Sequence, residues 1–269
     1  YGTLARGTES VLVAGNLTTQ ANGFWTGIGT TTFDGINPST WTDTNATKQN
    51  IGNVVVNGTS KTMILGSNVV MNSMRVETDD VFDLSTTGYT ASVYRGWTNI
   101  GSFLPRTGTV AFIATSSSYV INNGPSPFYN LTFNGAGGAW SFATATLTVQ
   151  NNFTIATGTV TMPTGTTTIS GSFLNTGGTF AHNNANVLFN GSGSKTITQS
   201  GTAFTNAFYN VRFTGSGSWS FSEANATTTN NFTITQGAVT LPSTALSVGN
   251  SFAQTGGSFS HNNGTVRFT

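Results

Sequence analysis

Side-chain catalysis needs acids, bases or nucleophiles held close together, and this chain carries few. Its eight acids are Glu9, Asp34, Asp43, Glu77, Asp79, Asp80, Asp83 and Glu223. Only one run gathers several of them: RVETDDVFD, at 75–83. Hard cations take several oxygen ligands, so Glu77, Asp79, Asp80 and Asp83 read as a candidate calcium site or a lyase-like acidic patch. The run lacks the Asp-x-Asp-x-Asp-Gly spacing of an EF-hand loop. The competing reading is a solvated loop whose charges blunt a strand or answer Arg75 and Arg95. Glycoside hydrolysis uses two facing carboxylates, yet no acid stands between Asp83 and Glu223.

The other reactive side chains point away from catalysis. His182 and His261 are the only histidines, each followed by Asn-Asn in a copy of one motif. A catalytic histidine is set by a neighbouring acid, and neither has one nearby in sequence. The HNN corners read as stacking elements, like the Asn ladders of stacked β structure. Cysteine is absent, which removes disulfides and thiolate sites. The Gly-rich segments contain no GxxxxGK[ST] phosphate loop. The chain is expected not to be an enzyme and to use no cofactor.

Two features could bind sugar or carry it. Asn-x-Ser/Thr sequons occur at Asn16, Asn45, Asn57, Asn130, Asn152, Asn190, Asn225, Asn231 and Asn263. Chance alone yields about as many in a chain so rich in Asn, Ser and Thr, so glycosylation is an open expectation, with Asn16, Asn45 and Asn57 as candidates. Among the five tryptophans, Trp41 lies in STWTDTNAT, a polar insertion within 36–50, and is the candidate exposed aromatic for a glycan. Trp140 and Trp219 share positions with Val and Phe and read as core.

Composition narrows the class. Charged residues make up 6% of the 269, against about 25% in ordinary soluble proteins. Hydrophobic residues reach 36% and aromatics 12%, too much apolar material for a disordered tract. A net charge of +1 with scattered Lys and Arg gives no footprint for nucleic acid or anionic lipid. No apolar run approaches the roughly 18 residues of a membrane span.

What the chain has in abundance is repetition. FYNLTFNG at 128–135 returns as FYNVRFTG at 208–215, and NNFTI at 151–155 returns at 230–234. Trp140-Ser-Phe returns at Trp219, Pro163 at Pro242 and His182 at His261. Fainter copies in the first half, with Phe33, Phe112, Phe189 and Phe268 in one slot, give a unit of about 78 residues, read as four coils, the least regular at 194–207. Inside it runs a period of 20, which aligns Phe133, Phe153 and Phe173. The same step aligns Trp140 with Val160 and Phe180, and Val149 with Ile169 and Phe189. Three apolar columns suit a three-sided coil.

Short runs such as LTF, FTI, TVTM and VLF alternate and are rich in Thr, Val, Ile and Phe, as strands are. Gly, Asn and Ser bound them because these residues tolerate turn geometry. The expected fold is all-β: a parallel β-solenoid, a right-handed β-helix with coils of about 20 residues. About thirteen coils stacked at roughly 4.8 Å would give a rod on the order of 60 Å long. The competing fold is a string of β-sandwich repeats, disfavoured because sandwich strands do not repeat one another. Residues 1–10 read as an N-terminal arm or cap, and 11–269 as the solenoid, with repeats at 11–33, 34–112, 113–189 and 190–268.

With FYNLTFNG, NNFTI, TGGTF and VLFNG laid out, the chain resembles the Gly/Thr/Asn-rich β-strand-repeat proteins of bacterial surfaces. It is similar in style to the β-helical shafts of secreted adhesins. The resemblance implies an exported scaffold, adhesin or fibre and carries over no catalytic residue. A first residue Tyr rather than Met fits a mature form after export, and the stop in mid-repeat leaves no visible cap. Bare coil edges attract partners, so the expected partner is a second copy joined head to tail, through residues 1–10 and the last coil. The expected function is an extracellular or cell-surface structural subunit that self-assembles into a filament or layer. The alternative is an adhesin shaft or carbohydrate-binding module that contacts surface glycans.

Overall fold

The computed structural model describes residues 3–5, 7–20, 23–200 and 206–269. Residues 1, 2 and 6 of the expected arm, and 201–205 of the irregular coil, lie outside the described residues. The described residues form a β-solenoid of about 12 turns, with parallel strands stacked about 21 residues apart. All named strand pairs are parallel, which excludes antiparallel sandwiches. No helix forms among the described residues, so none is long and apolar enough to cross a membrane. Two compact units divide the chain: 1–115 with 119–129, and 116–118 with 130–269.

In the first unit the turns from Asn53 to Phe112 each supply three strands, one to each of three ladders. One ladder stacks Val11–Val13, Thr30–Phe33, Asn53–Val56, Ser73–Val76 and Trp97–Asn99. A second stacks Leu17–Thr19, Ser39–Asp43, Thr62–Leu65, Val81–Asp83 and Ser102–Leu104. The third stacks Val69–Met71, Thr90–Val93 and Thr109–Phe112. Thr3–Ala5, expected in an arm or cap, pairs in parallel with Phe24–Thr26. Inward residues are large and apolar; Phe33, Val56, Met63, Phe82, Trp97 and Phe112 are all fully buried. Alternation with outward Thr, Ser and Asn follows from the two-residue period of the strand.

The second unit repeats the plan with a more regular interior. Trp140, Val160 and Phe180 stand in register, as do Val149, Ile169 and Phe189. Phe153 lies over Phe173 with ring centroids 5.6 Å apart and an interplanar angle of 11°. Phe232 and Phe252 repeat this at 5.4 Å and 5°. Offset aromatic pairs add about 0.5–1.5 kcal/mol beyond the area they bury.

Two expectations are corrected here. First, Phe133 does not share a rung position with Phe153; it pairs with Ile155, and Phe153 pairs with Leu131. The corner between Phe133 and Trp140 is two residues longer than the one between Ile155 and Val160, so the register breaks there. The Phe133 ring still meets Phe153, at 5.8 Å.

Second, the long repeat is not four whole coils. Phe189 stands in the ladder of Asn186–Phe189 and Asn210–Phe213, whereas Phe268 stands in that of Ala245–Val248 and Thr265–Phe268. Eleven strand positions separate them, counting the bridge at Phe208 as one. Phe33 and Phe112 likewise fall in different ladders of the first unit. Within each unit the later Phe therefore lies on a different face from the earlier one, in the second unit one face short of four turns. The copy conserves a column's size and alternation, not its position around the coil.

Corners impose their own demands. Gly158, with φ +85°, carries no Cβ; one placed there would stand 2.7 Å from Gly135 O and from the Trp140 ring. Its copy Gly237, φ +77°, would meet the Trp219 ring at the same 2.7 Å. Gly237→Ala combines that clash with a left-handed backbone, so it is expected to lower unfolding stability by about 1–3 kcal/mol. Phe173→Ala should cost about 3–5 kcal/mol, whereas the outward Thr154→Ala should stay within about 0.5 kcal/mol. Urea unfolding of the three variants checks this; equal effects for Phe173 and Thr154 would contradict the inward and outward assignment.

Candidate functional site

The structure disperses the acidic run. Arg75 forms an ion pair with Glu77. Arg106, one turn on, clasps Asp83 with Nε and Nη2, at 3.0 and 2.8 Å. The expected partner Arg95 plays no part in either pair. Asp79 is exposed at a turn with φ 66°. Asp80 is fully buried, and its two oxygens accept the backbone N–H groups of Gly58, at 2.9 Å, and Lys61, at 2.7 Å. Among the described residues no three His, Cys, Asp or Glu side chains come together to hold a metal. Asp80 and Asp83 fasten one turn to the next, whereas Glu77 pairs within its own turn.

Asp80 belongs to a buried polar corner that sequence reading missed. Lys61 is fully buried, and its Nζ donates to Ala14 O at 2.9 Å and Asn37 O at 2.7 Å. The corner thus ties residues 14, 37, 61 and 80, which lie on successive turns. Burial lowers the Lys61 pKa, while Asp34 and Asp80 oppose that shift by their charge. The available signal was spacing: Asp80 lies 22 and 19 residues from the amides it accepts, one turn in each case.

The glycan candidates of the first unit are corrected in part. Trp41 is fully buried in the strand Ser39–Asp43, between Leu17 and Leu65 and against Phe33 at 6.1 Å. It cannot present a face to sugar. The segment that reads as a polar insertion is a regular rung followed by a knot around Asp43. That carboxylate accepts Asn45 N, Asn45 Nδ2 and Gln49 N. Asn45 is therefore buried with its amide engaged, unfit for glycosylation in the folded chain. Asn16 and Asn57 are exposed.

The histidine corners are turns. Asn183 and Asn184 have φ of 49° and 56°, and Ala185 N donates to His182 O at 2.8 Å. Asn262, Asn263 and Gly264 N repeat this on His261 O. Two consecutive positive φ values favour Asn. Asn183 and Asn262 send their amides to main-chain carbonyls of the preceding turn, Met162 O and Leu241 O. The expected Asn-on-Asn ladder exists elsewhere: Asn210 Nδ2 donates to Asn186 Oδ1 at 2.8 Å, and Asn230 Nδ2 to Asn210 Oδ1 at 3.0 Å. His182 accepts Asn184 N at Nδ1 and stacks on Tyr209, 5.5 Å away. Partial burial lowers its pKa below 6.5.

The second unit also carries a trough of about 360 Å³ on the outer side of one ladder. Asn186, Asn210, Leu188, Arg212, Asn231 and Thr233 line it. Leu188, Arg212 and Thr233 occupy one outward column and Asn186 and Asn210 the other. Arg212 is exposed and, among the described residues, has no ion-pair partner. No protein-family model matches the chain, and neither does a curated protein or a solved structure.

Asp80→Ala leaves the buried Lys61 amide and the half-buried Gly58 amide without their acceptor and should cost about 2–5 kcal/mol. Calcium or a chelator should leave the wild-type melting temperature unchanged; a calcium-dependent rise would restore the metal reading. His182 binds its proton less tightly when folded, so the unfolded state takes up more protons on acidification. Its contribution to stability is present above about pH 6.5 and is lost as pH falls through the lowered folded pKa. Melting curves at pH 7.5 and 5 should show a smaller acid loss in His182→Gln than in wild type.

Proposed function

We propose that the chain is a non-enzymatic structural protein, an extracellular or cell-surface β-solenoid subunit that associates with further copies into a filament or layer. One observation carries this reading: two uncharged, hydroxyl-rich outward columns on the second unit. Ser194, Ser218, Ala238 and Ser258 stand in one column and Thr196, Ser220, Thr240 and Ser260 in the next, rung on rung. Strand geometry spaces such a grid at about 4.8 Å across rungs and about 6.7 Å along them. Regular faces without charge can pack on one another with little repulsion or desolvation penalty.

The non-enzymatic part is supported by how the acids are used. Asp43, Glu77, Asp80 and Asp83 are each engaged by a backbone amide or a guanidinium. The resemblance of FYNLTFNG and NNFTI to surface β-strand repeats, and the low charge, support export and a surface location.

Electron microscopy across a concentration series at neutral pH tests the proposal. Uniform fibres or ordered layers are expected. Ser220→Lys with Thr240→Lys should suppress them while leaving the melting temperature near wild type, because both side chains point outward. Particles that stay isolated at high concentration would sink the idea.

A further inference from the structure

We propose that the trough over Asn186, Asn210 and Arg212 binds a carboxylated polysaccharide, with Arg212 holding the uronate carboxylate. The trough lies on a different ladder from the hydroxyl columns on which the proposed assembly rests.

The lining has an excess of donors. A guanidinium presents a planar fork that matches a carboxylate with two parallel hydrogen bonds. Arg212 has Leu188 on the rung before it and Thr233 on the rung after, so neither rung neighbour competes for its charge. The single acid of the second unit, Glu223, is not among the lining residues. The Asn ladder is directional: Asn210, Asn230 and Asn250 each donate to an Asn of the preceding turn. Asn210 uses its Nδ2 on Asn186 and its Oδ1 on Asn230 and on the backbone of Asn231. Asn186 accepts through Oδ1, and none of the hydrogen bonds of the ladder draws on its Nδ2. Asn231 Oδ1 is taken by Asn250 and Ser251, and its Nδ2 is likewise spare. Spare N–H groups around an unpaired cation favour a ligand rich in acceptors and negative charge.

The remaining features suit a sugar chain. Leu188 is half-buried in the floor and offers an apolar contact for a ring face. The volume of about 360 Å³ falls within the small-ligand range of roughly 300–1,000 Å³. Its walls are strands locked by in-register pairs, so little ordering cost attends binding.

The test is titration calorimetry of the full chain at low ionic strength, with polygalacturonate as probe and dextran as the neutral control. Wild type is expected to bind polygalacturonate and not dextran. Arg212→Gln should weaken binding by about tenfold or more, the scale of one charge-assisted contact. Arg267→Gln removes an equal charge from a different ladder and should stay within about twofold. Melting curves confirm that both variants remain folded, as expected for exposed side chains. Equal losses from the two variants would reveal general attraction to a polyanion and overturn the assignment. So would an unaffected Arg212→Gln, dextran bound as tightly, or no binding of polygalacturonate by wild type.

Discussion

The parallel ladder is the constraint on which everything else in this protein depends. Each strand must place its N–H and C=O groups against the strands one turn away, because backbone groups cannot be buried unpaired. That fixes which side chain sits above which. Many inward positions then have the same kind of neighbour on the next rung, so Phe153 stacks on Phe173 and Val149 lies against Ile169. An outward position repeats Thr, Ser or Asn. Turn length varies only at corners, where Gly and Asn take positive φ and absorb extra residues without disturbing the rungs. The two-residue excess before Trp140 shows the limit: the register breaks and then recovers at Trp140 and Val160.

The same constraint decides the fate of charge. A corner buried between turns leaves amides that need acceptors, and Asp80 supplies two at once. Lys61 works in the other direction, donating hydrogen bonds to carbonyls of two earlier turns. Asp83, itself buried, spans neighbouring turns to the half-exposed Arg106. Asp43, Asp80 and Asp83 are thereby engaged in holding the coil. A side chain bonded on both oxygens by its own backbone is poorly placed to accept a substrate proton or a cation.

What remains for recognition lies on the outer sides of the ladders, and the two such surfaces of the second unit differ in kind. The outward columns of Ser and Thr, with Ala238 among them, carry no charge and suit a neighbour with the same periodicity. The trough with Arg212 is concave and donor-rich, suited to an acidic chain. Both follow from the same outward columns, altered by single residues: Arg212 occupies the column position that Leu188 and Thr233 hold on adjacent rungs.

The sequence by itself determined the fold class, the period of 20 and most of the interior columns. Trp140 over Val160 over Phe180 was legible because ladder neighbours must match in size and in alternation, and both are written in residue type. Only the tertiary structure decided the rest. It placed successive copies of the long repeat on different faces, because corner lengths add up to eleven strand positions rather than twelve, and no local pattern reports which face a strand has reached. It buried Trp41, since a polar neighbourhood in sequence says nothing of which way an alternating side chain points once its register is set by Leu17 and Leu65. It also joined Lys61 to Ala14 and Asn37, because partners one and two turns away meet only when the coil closes.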